Sequence, residues 1–506
     1  MSDESVRTAL RSEARLVVIE APGGCGKTYQ GAEYARDIVE QLSVGSPLIL
    51  THTHAACSVF AQATRSCSRR VEIRTLDSLI ASIACAYHQG LDLAADVPAW
   101  IRTRPDGYRE VAAKIAHLVT CYPMISTALA RRYPIIICDE HQDSSSDQHA
   151  LVMALARQGA RLRIFADPMQ KIFRDDAEEA SHAPWSWEEL KREADLFEEL
   201  DVPHRWRRGC SELGSWILAA RTALKTGQKI DLRSGLPQSL QVVYAENIAQ
   251  KKFDYRLEPP LRGGIDGFKR TQDSLLILSH YSETARALRG FFNRSVPLWE
   301  GHTRTALEGL VKAVNRAGAK PEKVAVAATA FLSKVAKGFT PSGFGDRLRQ
   351  EAREGCVKLC RGRPAILQAL AGFLVAEPNH RGVSKLLKRL SELQKQDPAF
   401  RDIAIDGHRE FWDAVQLGDF ETADAGLAEI AHRRTYSHPK PFPQSISTVH
   451  KAKGLECDAV IVVPCDASTF PDKPDTRCLL YVALSRAAKR LMLVVSKDNA
   501  SPLFAL

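Results

Sequence analysis

The residues best equipped for chemistry begin with the octapeptide Ala21-Pro22-Gly23-Gly24-Cys25-Gly26-Lys27-Thr28, directly after the apolar run Leu16-Val17-Val18-Ile19. A buried strand that breaks into a glycine-rich turn ending in Gly-Lys-Thr reads as a phosphate-binding loop. Its glycines let backbone N–H groups turn inward on phosphate oxygens, and a helix starting here adds its positive end. Lys27 can reach the β- and γ-phosphates of a nucleotide, and the Thr28 hydroxyl can hold Mg²⁺. Ala21 stands where the general pattern has glycine. The plainer alternative is an ordinary strand–turn–helix corner. The strand, the glycine spacing and the Gly-Lys-Thr ending together argue against it.

A second group follows the apolar segment Tyr133-Pro134-Ile135-Ile136-Ile137-Cys138: the residues Asp139-Glu140-His141-Gln142-Asp143. Adjacent carboxylates at the end of a buried strand suit a metal-and-base pair. Asp139 would hold Mg²⁺, directly or through water, and Glu140 would polarise the attacking water. The alternative is a solvated acidic turn. Asp167-Pro168-Met169-Gln170 follows the next strand, and Gln170 could touch the γ-phosphate and report its loss, although a loop glutamine usually does nothing. Near the other end lies Tyr481-Val482-Ala483-Leu484-Ser485-Arg486-Ala487. An arginine from a second domain can neutralise charge on a transferring phosphoryl group, and its fork suits phosphate better than an ammonium does.

These groups need elements to position them. Residues 14–83 read as alternating strands and helices, with Leu48-Ile49-Leu50 and Val71-Glu72-Ile73 as short strands. That rhythm is the signature of a parallel sheet. Leu162-Arg163-Ile164-Phe165 reads as a buried strand, and residues 84–130 as a helical insertion. A second βα region begins near residue 190, with strands at 240–244 and 275–278. Residues 297–435 turn helical. In Val383–Leu390, Leu386, Leu387 and Leu390 share one face while Lys385, Lys388 and Arg389 lie largely off it, which reads as a solvated basic face before a DNA contact. Strands return at 459–463 and 491–495.

Composition bounds the rest. The chain has 506 residues, enough for three to four domains, with 45% hydrophobic and 25% charged residues. No apolar run has membrane length, so no membrane partner is expected. The first residues are polar and acidic, so no signal peptide is visible. Twelve scattered cysteines suit reduced thiols, and the expected compartment is the cytoplasm. Cys356 and Cys360 form a close pair without the further ligands a metal needs. The net charge of +9 is compatible with a polyanionic partner but is weak evidence alone.

With these pieces in order, the chain resembles a superfamily 1 helicase of the UvrD/PcrA/Rep type. The matching segments are the phosphate loop, Leu50–Ala56, Thr75-Leu76-Asp77-Ser78, Asp139–Asp143, Asp167–Gln170, an arginine-rich stretch at 203–208, Ser447–Glu456 and Tyr481–Ala487. Asp-Glu-x-Gln-Asp, His-Lys-x-Lys-Gly-Leu-Glu and Val-Ala-x-Ser-Arg-Ala are the most specific. The resemblance implies two RecA-like parallel-sheet α/β domains with helical insertions: the first at 1–83 and 131–190, the second at 191–296 and 436–506, with insertions at 84–130 and 297–435. It implies an ATP- and Mg²⁺-dependent motor on single-stranded and tailed duplex DNA, moving 3′→5′. Lys27 and Thr28 would bind triphosphate and metal, with Asp139 as metal partner and Glu140 as base. Gln170 would couple the γ-phosphate to DNA, and Arg205 and Arg486 would approach that phosphate. Glu456 would hold the ribose. Thr51, His52, Thr75, Thr448, His450 and Lys453 would line the strand's path. Phe173 would stack on a base or, equally well, serve as a core residue.

Several positions depart from the family pattern. Residues 1–15 hold no glutamine to read adenine, and Pro203-His204-Arg205-Trp206-Arg207 replaces Asn-Tyr-Arg-Ser. His204 or Trp206 would then take the tyrosine's place, and Arg207 competes with Arg205. A DNA-stacking tryptophan is missing after Gln170; Trp185 and Trp187 lie nearby. The insertions are short, so a partner would help separate long duplexes. The compact length is also similar to the UvrD-like subunits of two-gene antiphage systems such as Gabija. The second expectation is therefore a DNA-stimulated ATPase subunit that regulates a partner nuclease.

Overall fold

Six short strands form the first sheet: β1 (Leu16–Glu20), β2 (Leu48–Thr51), β3 (Glu72–Thr75), β4 (Ile135–Cys138), β5 (Arg161–Ala166) and β6 (Leu196–Glu199). Their order is β3-β2-β4-β5-β1-β6, all parallel. Side chains alternate across the sheet: Leu16, Val18, Ile136 and Cys138 join one core, while Val17, Ile19, Ile135 and Ile137 join another. A sheet covered on both faces needs apolar residues at every position, which explains the uninterrupted apolar runs. Arg163 interrupts β5 yet is fully buried. Its guanidinium donates to the carbonyls of Leu10, Ser12 and Ala14 at 2.7, 2.7 and 2.9 Å and so fastens the helix Ser2–Arg11 to the sheet.

The computed structural model describes all residues except 1, 103, 105, 174–181, 208, 247–258, 300–304, 406–407 and 437–442. Its second parallel sheet comprises β7 (Leu240–Ala245), β8 (Leu275–Ser279), β9 (Gln444–Thr448), β10 (Cys457–Cys465) and β11 (Ala487–Ser496), in the order β9-β8-β10-β11-β7. Leu276, Leu278, Val460 and Leu491 point to one core, and Leu275, Ile277, Ala459 and Met492 to the other. The architecture is α/β, with two RecA-like parallel sheets and many helices.

The chain divides into two compact units, Met1–Gly301 with Pro439–Leu506, and His302–His438. Both sheets lie in the first. The second is helical and holds one apolar core in which Leu386, Leu387 and Leu390 are buried. On the same helix, His380–Gln396, Lys385 pairs with Glu377 at 2.6 Å and Arg389 with Glu392 at 2.9 Å. Those cations are the solvated face of that helix.

Two sequence boundaries are corrected. β6 pairs with β1, so residues 196–199 complete the first sheet instead of opening the second at 191. The helix Gly107–Cys121 packs on the helices Leu76–Ala86 and Ser146–Arg157, and its Val111, Ile115 and Val119 join the core that also holds Leu16 and Ile136. Leu298 bridges to Ile446, and Trp299 N–H donates to the Ile446 carbonyl at 2.6 Å, so the helical unit starts after these residues and not at 297. In each case an edge strand or helix face without a local signal found its partner far along the chain.

Candidate active site

The phosphate loop leaves β1 and enters the helix Lys27–Gln41. Gly24 and Gly26 have φ of 84° and 86°, a region that side chains rarely tolerate. Space demands glycine as well: a Cβ on Gly24 would lie 2.8 Å from the Trp206 ring. A Cβ on Gly23 would lie 3.2 Å from Gln170 Nε2, 3.5 Å from the Tyr481 hydroxyl and 3.6 Å from an Arg486 nitrogen. Residues from both sheets thus crowd one loop. Gly23 N–H donates to the Tyr481 hydroxyl at 2.9 Å. Cys25, buried beneath the loop, has its thiol pushed up to about 12, chiefly by that burial. It is inert packing.

Lys27 reaches back to Asp139 and Glu140 at the end of β4, pairing with Glu140 and lying 3.4 Å from Asp139 Oδ1. Burial alone would lower the Lys27 pKa, but the two carboxylates outweigh it and hold it above the usual lysine range. Asp139 is raised, because burial outweighs the Lys27 charge. In Glu140 the balance is opposite: burial is outweighed by the charges of Lys27 and Lys453 and the Gln142 amide, and the carboxyl is lowered. Glu140 sits at φ 54°, ψ 39°, an uncommon conformation for a non-glycine residue, which turns its carboxylate towards Lys27. Asp139 Oδ1 is buried and accepts no hydrogen bond. A buried carboxylate oxygen whose near partner is the Lys27 ammonium, with the Thr28 hydroxyl on the loop's helix, is a donor set that fits a divalent cation.

Gln170 is buried, and its amide donates to Asp167 Oδ2 at 3.0 Å. Asp167 is the hub of a network the sequence did not announce. Arg221 donates to Asp167 Oδ1 at 2.8 Å and to Glu20 Oε1 at 2.5 Å, and Lys225 also pairs with Glu20. Asp167 N–H donates to Gln142 Oε1 at 3.1 Å, while the Gln142 amide donates to Glu140. Glu140 and Gln170 are therefore joined through Gln142 and Asp167. An acidic residue ending an apolar strand, as Glu20 does, was the one available sequence signal.

From the second sheet's side, Arg486 is buried. Its three nitrogens donate to Val482 O, Leu455 O and Ser485 Oγ at 3.0, 3.2 and 2.8 Å. Burial, then the nearby Arg205 charge, lowers its pKa to about 10. Arg205 donates to the Ser485 carbonyl at 2.7 Å and pairs with Glu456, and its backbone N–H donates to the Gly24 carbonyl at 3.0 Å. Arg207 is exposed, so it is Arg205 that touches the loop. Trp206 is fully buried with its indole N–H on the Ala487 carbonyl at 2.7 Å, which removes it as a stacking platform. His204 instead lies beside the loop, 3.0 Å from where a Gly26 Cβ would be, and bonds to Asp3 at 2.8 Å.

The residues expected along a DNA path divide in two. Thr51, Thr75 and Thr448 are buried. Thr51 donates to the Thr53 carbonyl at 3.1 Å, and Thr75 and Thr448 accept from Ser78 N–H and Lys451 N–H at 3.1 and 3.4 Å. Their hydroxyls shape local turns and helix starts. Lys453 is also redirected: its ammonium lies 2.6 Å from both Asp143 oxygens and 2.7 Å from the Gln170 carbonyl. It is a tie between the sheets, not a free phosphate contact. Burial, despite Lys453, lifts Asp143 to about 6. Phe173, by contrast, is 51% exposed and is not a core residue. Its ring lies 6.2 Å from His450, which lies 5.8 Å from His280, itself stacked on Tyr281 at 4.1 Å. This row of flat side chains spans both sheets, and His280 and Tyr281 carried no sequence motif. His52 stands at the end of β2, bonded to Ser144 at 3.1 Å.

Two family comparisons bear on this arrangement. Residues 74–175 match the UvrD/REP helicase N-terminal domain, and residues 445–494 match the UvrD-like helicase C-terminal domain. These two matches support a UvrD-like superfamily 1 helicase. The two matches contain Asp139, Glu140 and Gln170 on one side and Lys453, Glu456 and Arg486 on the other, the groups that meet at the loop. At family level such domains support a DNA helicase and ATPase, and UvrD-like helicases generally use ATP with Mg²⁺ and act on DNA. Among the described residues, no helix is long and apolar enough to cross a membrane.

Proposed function

We propose that this UvrD-like protein is a 3′→5′ translocase on single-stranded DNA that separates tailed duplexes. The observation that carries the reading is the convergence of Lys27, Glu140, Gln170, Arg205 and Arg486 on one glycine loop, from two sheets. Lys27 and the loop's N–H groups hold the triphosphate, with Thr28 and Asp139 holding Mg²⁺. When bound, the ion neutralises charge on the β- and γ-phosphates. Glu140, kept ionised by Lys27 and Lys453, accepts the proton of the attacking water. Arg486 and Arg205 stabilise charge on the transferring phosphoryl, and Glu456, paired with Arg205, faces the ribose. Gln170 senses the γ-phosphate and passes its loss to Asp167 and, through its carbonyl, to Lys453. Phe173, His450, His280 and Tyr281 offer stacking faces for bases, and His52 a donor for phosphate.

The test is ATPase rate with and without single-stranded DNA, with strand separation measured on 3′- and 5′-tailed duplexes. DNA-stimulated turnover with unwinding of the 3′-tailed substrate is expected; an ATPase indifferent to DNA would sink the reading. A second reading, a DNA-stimulated ATPase subunit that regulates a partner nuclease in phage defence or repair, is favoured by one observation. The helix Gly107–Cys121, within the segment 84–130, joins the first sheet's core, which reduces the surface available to grip duplex. Co-purification with a nuclease and weak unwinding by the protein alone would select it.

A further inference from the structure

The histidine inside Asp139-Glu140-His141-Gln142-Asp143 is unused by the reading above, and so is Trp185. Both belong to one partly buried chain of polar groups, with His141 and Ser144 at its buried centre. His52 Nε2 lies 3.1 Å from Ser144 Oγ, Ser144 Oγ lies 3.1 Å from His141 Nδ1, and His141 Nε2 lies 3.0 Å from His149 Nδ1. Trp185 closes it, stacking on His149 at 4.6 Å and donating its indole N–H to the Ser144 carbonyl at 3.0 Å. The chain joins the end of β2, the turn after β4 and the helix Ser146–Arg157.

Counting hydrogens shows what such a chain can do. A neutral imidazole carries one N–H and one acceptor nitrogen, and a serine hydroxyl carries one hydrogen. His141 and Ser144 supply two hydrogens for three links, so at least one end of the chain must donate inward. A pattern with His52 and His141 both donating to Ser144 Oγ leaves the buried serine hydrogen without a partner in the chain; two arrangements satisfy every link and use that hydrogen as well. In one, His52 Nε2–H donates to Ser144, Ser144 to His141 Nδ1, and His141 Nε2–H to His149. In the other every donor is reversed, and His52 then carries its proton on Nδ1. A phosphate oxygen only accepts, so a phosphate held by neutral His52 selects the second arrangement. The number of protons does not change; only their direction does.

We propose that His52, Ser144, His141 and His149 form a two-state hydrogen-bond relay through which a DNA phosphate at His52 sets the tautomer of His141, beside Glu140, and so couples strand binding to hydrolysis. This rests on the reading of His52 as a phosphate contact. His141, Ser144 and His149 are positioning residues that touch neither substrate. The turn 141–143 that His141 begins also carries Gln142, which holds Glu140, and Asp143, which holds Lys453. A buried element with two satisfied arrangements is what two sites can bias in common. The surroundings keep the end members neutral: burial, with the Lys453 charge, lowers the pKa of His52 against the pull of Asp77 and Glu140, and burial with Arg157 brings His149 down to about 4 against Glu189.

The test uses the full chain with ¹⁵N-labelled histidine and oligothymidylate as probe. Long-range ¹⁵N–¹H spectra should show His141 and His149 carrying their protons on Nδ1 once the oligonucleotide binds. Ser144→Ala, which removes the middle link, should abolish that change and keep the DNA-free ATPase rate, measured below the melting temperature that the unpaired imidazoles lower. It should also lower the DNA-stimulated rate about tenfold. Ser144→Thr, which keeps the hydroxyl, should restore it. Binding and stimulation in the wild type with unchanged tautomers, or a fully stimulated Ser144→Ala, overturns the relay and leaves the helicase reading standing. Failure of the wild type to bind oligothymidylate overturns both.

Discussion

At the loop, the first sheet presents Glu20, Asp139, Glu140 and Asp167 from its strand ends, while the second region answers with Arg205, Arg221, Lys453 and Arg486. The first half has Lys27 as its own cation, and the second has Glu456 as its own carboxylate. Neither half is balanced alone. A buried charge is costly unless paired, so each sheet's groups are stabilised by the other's. Arg221 bridging Glu20 and Asp167, and Lys453 on Asp143, show the pairing directly. The cations gather where the γ-phosphate of a nucleotide would bring new negative charge, and the carboxylates where a metal and a water would be held. On the proposed reading, one half would prepare the nucleophile and the other would meet the leaving charge, so the site needs both sheets.

The largest expected break in that comparison is Glu140→Gln, which removes the base from the first half and keeps its shape. Turnover should fall by roughly a thousandfold while ATP binding is retained, as read by kcat and by nucleotide titration. Arg486→Lys attacks the second half: it keeps charge but loses the fork held by Val482, Leu455 and Ser485, and should lower kcat by about a hundredfold. Should Arg486→Lys cost nothing, the second half would be structural only. Lys453→Met cuts the tie between the halves and leaves Asp143 buried without its cation. Thermal unfolding should report a loss of about 1–3 kcal/mol, smaller at pH 5 than at pH 8 because a protonated Asp143 needs no partner. The smallest effect sharpens the contrast by pH. His149 has a folded pKa of about 4 against an ordinary 6.5 because burial disfavours its charged form. Its contribution is present above pH 6.5 and is lost as pH falls towards 4, so the melting temperature should decline over that window. His149→Phe should flatten the decline.

Much of the site was legible because its groups sit in contiguous motifs. The octapeptide 21–28 and Asp139-Glu140 each carry a strand, a turn and the reacting groups in one short stretch. The resemblance put Lys453 in a segment that lines a DNA path, and its partner Asp143, 310 residues away, could not be read from that segment. Trp206 and Phe173 looked alike as aromatic residues near motifs; burial separated them, one sealed under Gly24 and one half in solvent. Arg221 was silent, and Tyr481 stood in the Arg486 segment without a role, because an arginine within a helix and a tyrosine within an apolar run announce no partner until a second sheet is folded against them. The edge strand β6 was assigned to the wrong sheet since short strands carry no mark of which neighbour they pair with.

The sequence by itself determined the reaction class and the α/β architecture. Strand periodicity, glycine positions and the order of charged motifs are local properties, written within a few residues of one another. Only the tertiary structure decided which cation meets which carboxylate, that Arg205 and not Arg207 touches the loop, and that three histidines and a serine form one chain. Those outcomes depend on burial, which turns distant pairings into requirements. A charge or imidazole that water would satisfy equally well in an open chain must, once buried, find a specific partner.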